Sequence, residues 1–165
     1  DYMQQYGVVA NIPFSVGSWY RAKYNALGVR MHQRCDDYFD IPFNRKKWVF
    51  VTWLDNTFKV GKHVSFELNG RYQSAAIQGT FDIQPLFNLE AAAKWTFAHE
   101  KASISIRGDD LLNTGYPKTE VRFKGQYLDM DNSFYNRSVT IHFVYRFDGY
   151  KEKKQKEVDT SRFRL

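Results

Sequence analysis

One cysteine, no leader-like pattern in the opening residues and no long apolar run mark these 165 residues. Cys35 stands alone, so no internal disulfide can form and cysteine usage leaves the compartment open. No stretch approaches the roughly 18 apolar residues of a membrane-crossing helix, and mean hydropathy is only −0.58. The opening Asp1-Tyr2-Met3-Gln4-Gln5-Tyr6 lacks both the basic and the apolar part of a signal peptide. For an exported protein that leaves a mature chain, or a piece of a longer one, as the expectation. Net charge is +6, from 24 basic and 18 acidic residues. Much of the excess sits in residues 150–165, with Lys151, Lys153, Lys154, Lys156, Arg162 and Arg164 against Glu152, Glu157 and Asp159. That is weak ground for a nucleic-acid surface, and none is expected.

Aromatic residues, by contrast, make up 18% of the chain. High aromatic content with low mean hydropathy conflicts with a helical membrane protein. It agrees with strands in which every second residue is polar. The clearest case is residues 138–147: Val139, Ile141, Phe143, Tyr145 and Phe147 share one face, opposed by Ser138, Thr140, His142 and Arg146, with only Val144 breaking the polar side. Ten residues suit a tilted strand crossing a bilayer. The pattern recurs over residues 6–14, 18–29, 48–58, 64–72, 87–97 and 102–109. The phase of 48–58 is ambiguous, because both faces carry apolar residues. Residues 88–95 have high helix propensity, but strict alternation across 87–97 and a tight turn after it favour a strand.

Connections alternate as regularly as residues do. Short links lie near 15–17, 59–62 and 98–101, and long polar links near 30–47, 73–85 and 110–136. Neighbouring antiparallel strands can join tightly at one end, while loops at the other are free to grow and carry function. The expectation is an all-β, antiparallel, up-and-down transmembrane barrel segment of about seven strands, with the short links periplasmic. Residues 1–149 form the wall and 150–165 a charged periplasmic tail, read as a solvated extension. The lipid face is expected to hold Phe66, Leu68, Leu89, Ala91, Ile104, Ile106, Ile141 and Phe143. Glu67, Arg71, Glu90, Lys94, Arg107, His142 and Arg146 are expected to face the lumen.

The run from Ala102 to Thr114, ending Asp109-Asp110-Leu111-Leu112-Asn113-Thr114, resembles a strand and Asp-Leu-Phe-Asn-Thr-like motif near the end of TonB-dependent-receptor-like outer-membrane barrels, Bacteroidetes type. Residues 138–147 resemble their closing strand, and Asp159-Thr160-Ser161-Arg162-Phe163 the tail after it; Asn56-Thr57-Phe58 and Arg71-Tyr72-Gln73-Ser74 are similar more loosely. The resemblance implies a barrel of about 22 strands around an N-terminal plug, energised by the TonB system, taking up nutrients across the bacterial outer membrane. It also implies that insertion machinery reads Phe143, Tyr145 and Phe147 as an assembly signal. Partners are then outer-membrane lipid, the rest of the barrel with its plug, the barrel-assembly machinery, and the TonB system with a surface partner. This chain departs from the family pattern in having neither plug nor TonB-box and too few strands. An open sheet would leave bare edges in lipid, so the chain is expected to be the C-terminal part of a larger barrel or one piece of a composite one. A non-transport scaffold that anchors loops or partners is the alternative.

Three sets of residues invite a chemical reading. His32, Cys35, Asp36, Asp37 and Asp40 do not make a zinc set. Asp129, Asp131 and Asn132 lack a complete calcium loop. His142 with Asp109 and a serine lacks a specified nucleophile–base geometry. No catalytic residue, metal or cofactor is expected, and the transported substrate is not legible in the sequence.

Overall fold

The computed structural model describes residues 1–37, 40, 42–131 and 137–147, and every regular element in it is a β-strand. These are β1 (Tyr2–Val16), β2 (Tyr20–Cys35), β3 (Phe43–Val60), β4 (Val64–Gln73), β5 (Ala76–Gln78), β6 (Phe81–Ile83), β7 (Leu86–Phe97), β8 (Ala102–Asp109), β9 (Lys118–Phe123), β10 (Gln126–Asp131) and β11 (Ser138–Tyr145). Seven of them form one antiparallel sheet in the order β1-β2-β3-β4-β7-β8-β11, a meander in which each strand pairs with its predecessor in that order. The remaining four form a second sheet, β10-β9-β6-β5. The sheet of seven does not close on itself, and β1 and β11 are its edges. The charged tail at 150–165 lies outside the described residues.

All three short links stand at one end of the sheet of seven, joining β1 to β2, β3 to β4 and β7 to β8. Gly17 and Gly61 supply positive φ (54° and 67°) in the first two, where a side chain would be strained. The helix-prone stretch 88–95 is strand, inside β7. Its outward Leu89, Ala91, Ala93 and Trp95 pair with β4 on one side, and from Ala91 onward with β8 on the other. Two flanking ladders outweigh the few tenths of a kcal/mol per residue that local propensity offers the helix.

The structure departs from the sequence reading in the long links. Residues 30–47 are mostly strand: β2 runs to Cys35 and β3 begins at Phe43, so 16- and 18-residue strands overhang the roughly 9–11 needed to cross a bilayer. Residues 73–85 and 110–136 are not simple loops either, since they contribute β5, β6, β9 and β10. These strands are three to six residues long, too short for alternation to show in the sequence.

The second sheet is fastened to the overhang. Gln33, buried on β2, donates from Nε2 to the Ile77 carbonyl (3.3 Å) and accepts the Gly79 N–H at Oε1 (2.6 Å). Arg45 on β3 donates to the Gly79 and Phe81 carbonyls (3.2 and 3.3 Å) and pairs with Asp82 at 2.6 Å. Ala76, Ile77, Val121 and Val49 are buried around this junction. The β5–β6 hairpin therefore leans over one face of the large sheet at the end where the long links lie.

Candidate functional site

Pairing register decides which side chains share a face, because successive residues of a strand alternate. Phe58 pairs with Phe66, Phe66 with Ala93, Ala93 with Ile106, and Ile106 with Ile141. Following such rows across all seven strands gives one continuous face. It carries Tyr6, Val8, Ile12 and Phe14 of β1, Tyr20 and Tyr24 of β2, and Trp48, Phe50, Leu54 and Phe58 of β3. The phase left ambiguous for 48–58 is thereby settled: even-numbered residues lie on this face. Phe66, Leu68, Leu89, Ala91, Ile104, Ile106, Ile141 and Phe143 all lie on it too. Val139, Ile141 and Phe143 are 60–68% exposed, so this apolar face is open and unpacked.

Rings gather at its two ends. Toward the short links, Phe14 meets Tyr20 (centroids 5.5 Å apart), Tyr20 stacks on Phe58 (4.9 Å), Trp95 meets Phe97 (4.7 Å) and Tyr145 meets Phe147 (4.7 Å). Toward the long links stand Tyr6, Trp48, Phe50, Tyr72 and Phe87. From Trp48 to Phe58 is about 33 Å along β3 at ~3.3 Å per residue. With the usual 35–45° tilt that is roughly 25 Å in height, which matches the apolar band of an outer-membrane barrel between its aromatic girdles. One polar side chain inside the band is satisfied locally: Asn56 accepts from the Tyr20 hydroxyl and donates to the Leu68 carbonyl, both at 2.8 Å. Such pairing is required where no water can compensate.

The opposite face is polar. Glu67, Arg71, Glu90, Lys94, Arg107 and His142 all fall on it, in register with Ala92, Asn88, Asn69, Ser65, Thr140 and Ser105 respectively. Arg107 bridges two strands, reaching Glu90 at 2.5 Å and Asp109 at 2.7 Å, and Asp109 accepts from Ser138 at 3.0 Å. Arg71 lies over the Trp53 ring at 5.9 Å. Arg146 follows β11, and its N–H donates to the Lys101 carbonyl (2.8 Å), extending the ladder by one bond. The Gln33, Arg45 and Asp82 clamp belongs to this same face. Beside it a largely apolar cleft of about 430 Å³ opens among Phe43, Phe81, Ile83 and Met130.

The Asp110–Thr114 motif acts structurally. Asp110 is 1% exposed, and its Oδ1 accepts the N–H groups of Thr114 (2.9 Å) and Gly115 (3.0 Å). The Leu111 N–H donates to Leu89 (2.9 Å) and the Thr114 hydroxyl to the Phe87 carbonyl (2.5 Å). The turn thus carries the β8 edge onward along β7. Asp110→Ala should cost about 1–3 kcal/mol by removing the buried acceptor of two part-buried N–H groups; a urea titration of the refolded full-length protein measures it.

Among the described residues none of the three sets comes together, and Asn132 lies outside them. His142 sits opposite Ser105 and Asp109 opposite Ser138, roughly 13 Å apart along the strands. His32 and Cys35 fall on opposite faces of β2. Asp129 pairs with Arg122, and Asp131 with Lys118 at 3.5 Å.

Residues 1–145 match a family model described as the outer membrane protein beta-barrel family. No curated protein and no solved structure matches the chain. The match spans most of the sequence, and the family's name agrees with an antiparallel meander that has one apolar and one polar face. The chain therefore belongs to the outer membrane protein beta-barrel family, whose location is the outer membrane of Gram-negative bacteria.

Proposed function

We propose that these strands are a section of wall in a larger barrel that takes up a nutrient as TonB-dependent receptors do. The apolar face meets lipid, and the polar face lines a lumen wide enough for a plug and a passing solute. The observation that carries this reading is the polar face of a sheet that does not close. Barrels of about eight strands fill their interior with their own side chains. Here seven strands leave both edges open, and lipid cannot satisfy an edge. Further strands must therefore pair with β1 and β11, and the interior widens with each one. The Glu90–Arg107–Asp109 bridge is suited to a water-filled or plugged lumen. The motif and closing strand noted in the sequence supply the TonB-dependent part of the reading. It assigns the chain no catalysis; its partners are lipid, the plug, the rest of the barrel, the assembly machinery and the TonB system.

In this reading the short links are periplasmic and the second sheet stands at the cell surface, leaning over the lumen mouth. Conductance across planar bilayers tests the lumen. The full-length protein should pass little current as isolated and give large current steps once a chaotrope loosens the plug. A correctly inserted, heat-modifiable barrel that never conducts would contradict uptake through this wall. Orientation has its own check at the β9–β10 turn, where Lys124 and Gly125 both have positive φ (45° and 84°). An epitope inserted there should be reached by antibody on intact cells. Staining only after permeabilisation would invert the topology.

A further inference from the structure

Among the described residues of the seven strands, the apolar face carries four basic side chains and no acidic one. These are Arg30, His32 and Arg34 of β2 and Lys46 of β3, and they occupy one corner. His32 lies directly opposite Lys46, and Arg30 opposite Trp48. Arg30 and Lys46 are therefore diagonal neighbours, with Cβ atoms roughly 7 Å apart or less. The corner begins where the aromatic girdle ends: the Arg30 guanidinium lies 5.6 Å over the Trp48 ring, on the long-link side.

Two of the four are already engaged. Arg34 pairs with Asp36 at 2.8 Å, and His32 bonds Asn44 at 2.8 Å and lies near the Tyr2 hydroxyl at 3.3 Å. Neither Arg30 nor Lys46 has an acidic partner among the described residues. Two unpaired cations at girdle height, facing away from the lumen, would meet the headgroup layer of the leaflet rather than water or plug.

We propose that Arg30 and Lys46, with Trp48 beneath them, form a binding site for the phosphate of a phosphorylated lipid headgroup in the outer leaflet. The proposal rests on the orientation given above, which puts this end of the sheet at the cell surface. Charge complementarity selects the occupant: a phosphate oxygen can accept from the guanidinium fork and from the ammonium together. The indole packs against the lipid at the interface. A protein partner docking on this corner would have to displace lipid, and the one ring beyond the girdle there, Tyr2, is turned onto His32.

The test uses the full-length protein in detergent with phosphorylated lipid A, chemically dephosphorylated lipid A and inorganic phosphate as separate probes, read by native mass spectrometry and by melting. Wild type should retain phosphorylated lipid A and melt higher with it. Arg30→Gln/Lys46→Gln should bind it about tenfold or more weakly, since each basic side chain near an anionic surface contributes appreciably. The charge-conserving Arg30→Lys/Lys46→Arg should retain most binding, which guards against a folding artefact. Equal binding by the Gln variant, equal binding of the dephosphorylated lipid, or full occupancy by inorganic phosphate alone would each overturn the proposal. If cysteines at 30 and 46 react with an impermeant reagent only from the periplasmic side, orientation itself fails. Normal orientation with normal conductance and no lipid selectivity defeats the lipid site alone.

Discussion

Ile106→Arg should cost about 2–4 kcal/mol of folding free energy in a bilayer, the range for a cation placed near the midplane on the lipid face of a barrel. Ile106 lies midway along the apolar face, between Ala93 of β7 and Ile141 of β11. Among the described residues of the seven strands no acidic side chain shares this face, so on the proposed lipid side a guanidinium must stretch to an interface or drag water inward. The control is Ser105→Arg on the same strand, which sits between Lys94 and His142 on the polar face. On the proposed lumen side a cation meets at most mild like-charge repulsion, and the cost should stay under about 1 kcal/mol. Urea titrations of the full-length protein refolded into vesicles give both values. Equal costs would mean that the two faces see the same solvent.

Changing Tyr145 and Phe147 together to Ser should sharply lower the amount of folded barrel in the outer membrane. Tyr145 pairs with Ala102 at the short-link end of β11, and its ring meets Phe147 edge-on at 4.7 Å and 69°. β11 is an edge strand, so its other side offers a row of backbone groups to any strand that can pair with it. Side-chain alternation at Phe143, Tyr145 and Phe147 would fix register and face during such pairing. The same rings also belong to the girdle, so the variant loses interface anchoring as well. Deleting residues 151–165 should have a smaller effect. Heat-modifiable barrel at wild-type levels in the double variant would leave these rings a structural role only.

Period-two alternation exposed the sheet because it reports a contrast between two environments, and that contrast is strong over residues 87–97 and 138–145. It failed over 48–58, where Val49, Val51 and Trp53 put apolar groups on the polar face; only pairing with Tyr20, Tyr24 and Phe66 fixed the phase. The second sheet was invisible because β5 and β6 have three residues each and owe their place to distant partners, Gln33 and Arg45. A buried glutamine at 33 leaves no local signature. The basic corner is legible in part: Arg30, Arg34 and Lys46 are plainly cationic, and His32 stands among them. Yet the stretch read as a loop, and a loop has no outward face. The Asp110 turn shows in the sequence only as a resemblance; its physical role lies in its hydrogen bonds to Thr114 and Gly115.

The face bearing Leu68 and Ala91 is expected to meet lipid, and the face bearing Glu67 and Glu90 to meet water. Spin labels placed one at a time along residues 65–72 and 87–94 of the full-length protein in liposomes test this assignment most directly, by their relative exposure to dissolved oxygen and to a water-soluble nickel chelate. Exposure should alternate with period two, oxygen peaking at 66, 68, 89, 91 and 93 and the chelate at 67, 69, 88 and 90. The opposite phase, or no alternation at all, would contradict it.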